Sequence, residues 1–276
     1  MNRRFTCNVC GGEGCFDEVS LADPEAPSCP ACGSNVRHRW LVHRLSLELF
    51  GRSLALPHFP DSKSISGLGL SDPPLLATGF ARSLNYLNTF YDSEPLFDIR
   101  SDDSPLGELD FLIASEVFEH VTPPVEVAFQ NAFRLLKPGG VMLLTTPWVW
   151  GGPTREHFPG LHQWAIEGER QQRVLRNVRV DGRTERFTNL VFHGGPGLTL
   201  EMRLFSKSGL ESSLRGAGFP DVEFEQGTVP SAGIVFPYPW SRPIVVRKPR
   251  STASWSITRR GRSRSRESNR SAGNST

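Results

Sequence analysis

The alternation of apolar and polar residues predicts an α/β domain that begins near residue 61. Short apolar runs, typical of strands buried on both faces, alternate with longer segments whose apolar residues recur at helical spacing. The pattern predicts strands at 64–71, 85–90, 95–98, 109–115, 141–147, 222–225 and 244–247, and helices at 75–83, 124–136 and 205–218. This order is typical of a Rossmann-like, mostly parallel sheet of seven strands with helices on both faces.

Other segments flank or interrupt this domain, which we place at residues 61–249. Residues 36–60 are predicted to form a connecting helix and linker. An insertion at about 148–204 separates the fifth strand from the next helix and is far longer than the usual connection of roughly two to six residues. We therefore expect it to be functional and to cover the substrate. Residues 250–276 are rich in Arg and Ser, nearly lack apolar side chains and are predicted to be disordered.

The charge distribution limits the classes of partner. The formal net charge is +2, of which residues 250–276 contribute +6, so residues 1–249 carry −4. An acidic body disfavours a folded domain that grips a nucleic-acid backbone, although the basic tail leaves RNA binding open. The chain has no apolar run of about 18 residues that could span a membrane and no secretory signal at its start. We expect a soluble, cytoplasmic protein.

Four cysteines have the spacing of a metal site at the start of the chain. Cys7 and Cys10 form one Cys-x-x-Cys pair, and Cys29 and Cys32 form a second. Each pair is followed by glycine, as in the knuckles of a zinc ribbon, so we predict a zinc-ribbon-like module at residues 1–35. So small a module needs metal for its folding, and four thiolates leave no position open for catalysis. Iron, redox-active cysteines and disulfides remain alternatives.

Two blocks in the middle of the chain indicate a family. Asp110–Val121 and Arg134–Val141, which ends in Leu-Lys-Pro-Gly-Gly-Val, resemble the fourth and fifth strands of class I, S-adenosylmethionine-dependent methyltransferases, of the methyltransferase type 11 kind. They also stand at that family's usual separation. Segments 161–164 and 192–203 are similar to a subgroup of bacterial methyltransferases. The resemblance covers roughly residues 62–250.

The resemblance implies a methyl donor, S-adenosylmethionine, bound across the carboxyl ends of the first four strands. The chain departs from the family pattern in its first turn, where Gly67-x-Gly69-x-Ser71 replaces three alternating glycines and Ile65 stands in place of an acid. Asn88 also stands where members of the family usually carry the acid that holds the ribose of the donor. The implied donor-binding residues are Gly67, Gly69, Ser71, Asn88, Asp98, Ser115 and Glu116.

The insertion supplies candidates for the acceptor side. Methyl transfer is an in-line displacement, which needs a base only when the acceptor carries a proton. His162 and His193 are candidate bases, and Glu201 is a candidate orienting residue. A small molecule or glycan intermediate is the expected acceptor. The alternatives are an RNA methyltransferase and a non-catalytic binding protein that has kept the fold.

Overall fold

The computed structural model describes residues 3–16, 23, 25–101, 107–169, 172–193 and 199–250. The predicted disorder of the C-terminal tail lies, from residue 251 onward, outside the described residues. Among the described residues, no helix is both long enough and apolar enough to cross a lipid bilayer.

The described residues contain four α-helices, three short 3-10 helices (Leu56–His58, Pro230–Ala232 and Pro239–Ser241) and sixteen strands. The helices are α1 (Val36–Phe50), α2 (Pro74–Ser83), α3 (Val125–Leu135) and α4 (Lys207–Ala217). The strands are β1 (Arg3–Thr6), β2 (Glu13–Phe16), β3 (Ser62–Leu70), β4 (Leu84–Thr89), β5 (Leu109–Ser115), β6 (Leu136–Thr145), β7 (Trp148–Val149), β8 (Arg155–Glu156), β9 (Gln163–Glu167), β10 (Val174–Val178), β11 (Thr184–Phe187), β12 (Phe192–His193), β13 (Thr199–Leu200), β14 (Arg203–Ser206), β15 (Asp221–Phe224) and β16 (Ile244–Arg247).

The central sheet confirms the predicted α/β class. Its strand order is β15-β16-β6-β5-β3-β4. Strands β4, β3, β5 and β6 are parallel, and β16 runs antiparallel to both of its neighbours, β6 and β15. Among the described residues it has six strands rather than seven. The predicted strand at 95–98 is reduced to an isolated parallel bridge between Phe90 and Leu96. Pro95 has no N–H for a ladder, so this segment pairs through only a few backbone groups.

The strand β6 begins earlier than the sequence predicts. The helix α3 stops at Leu135, close to its predicted end, and β6 begins at Leu136 rather than at Val141, so that the predicted turn Lys137–Gly140 lies inside the strand. The reason is a partner that the pattern could not show. The Gly139 N–H donates to the Lys248 carbonyl, the Lys248 N–H donates to the Gly140 carbonyl, and both distances are 2.9 Å.

Helices cover both faces of the sheet, as predicted. Along β5, Leu112 and Ala114 pack with α3 and α4 on one face, and Phe111 and Ile113 face α1 and α2 on the other. Side chains of the N-terminal module, such as Phe5, belong to this second cluster. The module therefore shares a core with the sheet.

The insertion folds into small sheets against the rest of the chain. Strands β9, β10 and β11 form an antiparallel sheet, while β14 pairs with β7 and β8. The Met202 N–H donates to the Glu119 carbonyl at 2.8 Å. This contact ties the insertion to the turn that follows β5.

Candidate functional site

The carboxyl ends of three neighbouring parallel strands bring together most of the predicted donor residues. We call Ser71, Asp72, Asn88, Ser115 and Glu116, at the ends of β3, β4 and β5, the donor edge. Ser71 has φ 62° and Glu116 has φ 57°, and they are the two non-glycine residues with positive φ in the described part of the chain. Such strained conformations persist where surrounding structure holds them, and they cluster at functional sites.

The two predicted glycines lie inside β3 rather than in a turn. A Cβ on Gly67 would lie 2.0 Å from the Phe111 ring, and a Cβ on Gly69 would lie 1.8 Å from the Tyr86 hydroxyl. The Phe111 and Tyr86 rings stack with centroids 5.9 Å apart. These glycines therefore make room for two aromatic rings, and the turn at the end of the strand falls at Ser71.

Asn88 and Asp72 hold that turn in place. The Asn88 amide accepts a hydrogen bond from the Asp72 N–H at 2.9 Å and donates one to the Asp72 carbonyl at 2.8 Å. The Asp72 side chain is buried and receives the Tyr86 hydroxyl on Oδ2. Burial raises the pKa of Asp72 to about 7. Asn88, predicted from the resemblance to meet the donor, thus uses both polar ends of its amide on the turn.

At the end of β5, the donor edge meets the N-terminal part of the chain. The Arg37 guanidinium, from α1, donates to the Ser115 hydroxyl at 2.9 Å and lies 3.6 Å from the Glu116 carboxylate. It also pairs with Glu25. The Glu116 side chain remains 25% exposed. Arg37 therefore covers part of the edge and leaves the Glu116 carboxylate accessible.

Asp98 follows the segment that the sequence predicted as the third strand, and it lies in a turn. Its carboxylate accepts a hydrogen bond from the Arg100 N–H at 2.9 Å and so caps a turn. Because the third predicted strand is only a bridge, this turn and not a strand end positions the side chain.

Two of the three predicted catalytic residues are in direct contact. The Nε2 of His193 lies 2.9 Å from one Glu201 oxygen, and the Nε2 of His157 lies 2.7 Å from the other. His162 is exposed, and its backbone N–H donates to Asn177 at 2.9 Å. We call His157, His193 and Glu201 the acceptor cluster. Sequence reasoning missed His157, which lies 44 positions from Glu201 with no motif joining them.

A buried pair connects the acceptor cluster to the donor edge. Glu119 is fully buried, and its Oε2 accepts the Thr146 hydroxyl at 2.9 Å. Burial raises the pKa of Glu119 well above its usual range, and the neighbouring Glu116 carboxylate raises it further. The His120 ring meets the His193 ring edge-on, with centroids 4.9 Å apart. Burial lowers the pKa of His120, which favours the neutral imidazole.

The four predicted cysteine ligands converge in the N-terminal module. Their sulfurs all lie within 4.8 Å of one another, and the pairs Cys7–Cys32 and Cys10–Cys29 are both 3.8 Å apart. Sulfurs at about 2.3 Å from a tetrahedral zinc are about 3.8 Å apart. Both knuckles close through glycine at positive φ, Gly11 at 81° and Gly33 at 71°. The cluster is compatible with zinc.

Together, the strand order and the polar groups collected at the carboxyl ends define an α/β protein of the cofactor-binding, open-sheet kind. The sequence matches the methyltransferase domain family over residues 12–223, and the chain belongs to that family. It is a class I, S-adenosylmethionine-dependent methyltransferase. No curated protein sequence matches the chain.

Solved structures with a similar fold include methyltransferases of small molecules. An amino pentose methyltransferase of calicheamicin biosynthesis from Micromonospora echinaspora is 12% identical, with 78% of this chain and 92% of that one covered and a TM-score of 0.44. A sugar N-methyltransferase from Streptoalloteichus is 13% identical, with 78% and 87% covered and a TM-score of 0.43. An S-adenosylmethionine-dependent methyltransferase from Clostridium acetobutylicum is 14% identical, with 66% and 83% covered and a TM-score of 0.39.

Proposed function

We propose that the chain transfers the methyl group of S-adenosylmethionine to a small molecule or glycan intermediate bound between the donor edge and the insertion. The observation that carries this proposal is the contact of the Glu201 carboxylate with two imidazoles, at 2.7 Å and 2.9 Å, in a segment bonded to the turn after β5. This cluster is the acceptor side, and the donor edge holds the cofactor.

The donor edge offers groups that suit a sulfonium nucleoside. The accessible Glu116 carboxylate complements the positive charge of the donor, and the Ser115 hydroxyl can bond its polar groups. Open α/β sheets bind ligands outside the carboxyl ends of their strands, at a change in strand order, which here falls between β3 and β5. S-adenosylmethionine would supply an electrophilic methyl group there, and the chain would align the acceptor and exclude water.

The acceptor cluster suits removal of a proton. An imidazole that donates its Nε2–H to a carboxylate keeps a lone pair on Nδ1, and the carboxylate stabilises the cation formed when Nδ1 takes up a proton. His193 and His157 both meet this requirement through Glu201. The proposal therefore assigns the base to an imidazole held by Glu201, and leaves the exposed His162 outside this role.

Charge favours a small acceptor over RNA. Residues 1–249 carry a net charge of −4, and a nucleic-acid backbone requires a basic surface.

We assign zinc to the four cysteines as a structural ion, because four thiolates complete a tetrahedron and leave no position for substrate. The N-terminal module then serves to hold Arg37 on the donor edge through its ion pair with Glu25.

The test supplies methyl-labelled S-adenosylmethionine together with one of two acceptor preparations, a low-mass filtrate of cell extract or total RNA. We expect label in low-mass products, and loss of most of that label in His193→Ala and Glu201→Gln. His58→Ala is the matched control, because His58 is exposed and lies outside the cluster. Label in RNA, or donor binding with no product from either preparation, would overturn the proposal.

A further inference from the structure

Glu119 and His120, which the proposed donor site does not use, converge on His193 of the acceptor cluster. Glu119 and His120 follow β5, and His193 lies in β12 of the insertion. One carboxylate oxygen of Glu119 and one ring nitrogen of each histidine lie within 4.8 Å of one another. We propose that these three residues bind a divalent transition-metal ion.

The Glu119 carboxylate has a buried oxygen that is free to bind a cation. Its side chain is fully buried, Oε2 accepts the Thr146 hydroxyl, and Oε1 has no hydrogen-bond partner. The Nε2 of His120 is 3.8 Å from Oε1, which is too far for a hydrogen bond. A buried oxygen without a partner is costly, and an ion between these two atoms would satisfy it.

Both imidazoles are oriented as metal ligands usually are. The Nδ1 of His120 lies 2.9 Å from the Leu200 carbonyl, so it carries the proton and leaves the lone pair on Nε2. The Nε2 of His193 lies 2.9 Å from the Glu201 carboxylate, which leaves Nδ1 available. Histidine ligands typically donate their second N–H to a carbonyl or a carboxylate in this way. The chain thus supplies both ligands and the groups that orient them.

The donor set selects a class of ion. Two imidazole nitrogens and one carboxylate oxygen suit Fe²⁺, Mn²⁺, Co²⁺, Ni²⁺ or Zn²⁺ better than Mg²⁺ or Ca²⁺, which prefer oxygen ligands. Three protein ligands also leave positions for an acceptor oxygen or nitrogen. Placing the ion on the acceptor side rests on the proposed function. His193 is then a ligand, and His157 is the imidazole on Glu201 that takes the proton.

The test is a titration with cobalt(II), followed by visible absorption, of the full chain loaded with a single equivalent of zinc, which the four thiolates take up and which leaves the proposed site open. We expect one equivalent to bind with the spectrum of a nitrogen and oxygen site, without the intense sulfur-to-cobalt bands that replacement of zinc at the cysteines would give. His193→Ala should weaken this binding by at least about 100-fold, and Glu201→Gln by about 10- to 100-fold through loss of the orienting carboxylate. His58→Ala and Glu126→Gln are matched, exposed controls.

Either of two results would overturn the proposed metal site. Either no cobalt binds to the zinc-loaded protein outside the cysteines, or the affinity is the same in His193→Ala, Glu119→Gln and wild type. Glu119→Gln keeps the size of the buried side chain, and the half-buried His193 tests the site even if the Glu119 variant fails to fold. The titration needs neither methyl donor nor acceptor. If the wild-type chain binds no such ion, donor binding and labelled product can still be observed, so failure of the metal site and failure of the proposed function are distinguishable.

Discussion

The buried carboxyl of Asp72 should make stability depend on pH in a predictable way. Its side chain is buried at the donor edge beside Tyr86, Oδ1 has no hydrogen-bond partner, and burial raises its pKa from 3.8 to about 7. Because the pKa is higher in the folded state, the folded protein holds the proton more tightly than the unfolded chain does. The free energy of unfolding therefore falls as the pH rises from the unfolded pKa through the folded one.

The size of this effect follows from the shift in pKa. A difference of about three pH units, at roughly 1.36 kcal/mol per unit, corresponds to about 4 kcal/mol of destabilisation above pH 7. Asp72→Asn keeps an oxygen that can accept the Tyr86 hydroxyl and cannot ionise. We expect the variant to gain stability over wild type as the pH rises, by about 2 kcal/mol between about pH 5.5 and about pH 8.

The assay is urea denaturation of both zinc-saturated proteins across that pH range. Effects of other titrating groups cancel in the difference between the two proteins. Asp61→Asn makes the same chemical change at an exposed position and should follow the wild-type curve. If the difference in the free energy of unfolding between Asp72→Asn and wild type stays constant with pH, the pKa of Asp72 is not raised, and the buried environment assigned to its carboxyl is wrong.

Three further predictions concern the module, the central strand and the insertion. Cys10→Ser should lose tightly bound zinc and melt at a lower temperature, whereas Cys15→Ser, at an exposed cysteine, should keep its zinc by elemental analysis. Gly67→Ala should lower the free energy of unfolding by about 3 kcal/mol in urea, because its Cβ would enter the Phe111 ring, while Gly151→Ala, with open space around it, should change little. Arg203→Met should lower the free energy of unfolding by about 3 kcal/mol in the same assay, because the buried Arg203 donates hydrogen bonds to the Glu156 carboxylate and the Phe118 carbonyl. Arg155→Met, at an exposed neighbouring position, should lower it by less than about 0.5 kcal/mol. An unfolding energy for either variant equal to that of its control would refute the packing assigned to it.

The sequence predicted those elements whose signal is local. The strand at Leu109–Ser115 has its predicted bounds, and Gly218 ends α4 with a φ of 114°, as its glycine indicated. The cysteine cluster was predictable because ligand spacing within each knuckle is fixed by the chain itself. Segments that depend on a distant partner were predicted less well. The start of β6 is one case, since its partner Lys248 lies more than 100 positions away.

Residue roles at the site were harder to predict than elements. A glycine motif in the sequence cannot distinguish a turn that admits a cofactor from a strand that makes room for Phe111 and Tyr86. Likewise, the choice between His157 and His162 depends on which imidazole reaches Glu201 across the insertion. Such contacts are set by tertiary packing, which periodicity and spacing do not record.

The most direct test of the central claim is a calorimetric titration with S-adenosylmethionine. We expect binding to the wild-type chain and an affinity about 10- to 100-fold lower in Glu116→Gln, because a charged contact at the donor edge is lost. Glu126→Gln, on the exposed face of α3, should bind as wild type does. Absence of binding to the wild type, or equal affinity in Glu116→Gln, would contradict the placement of the donor at the ends of β3 and β5.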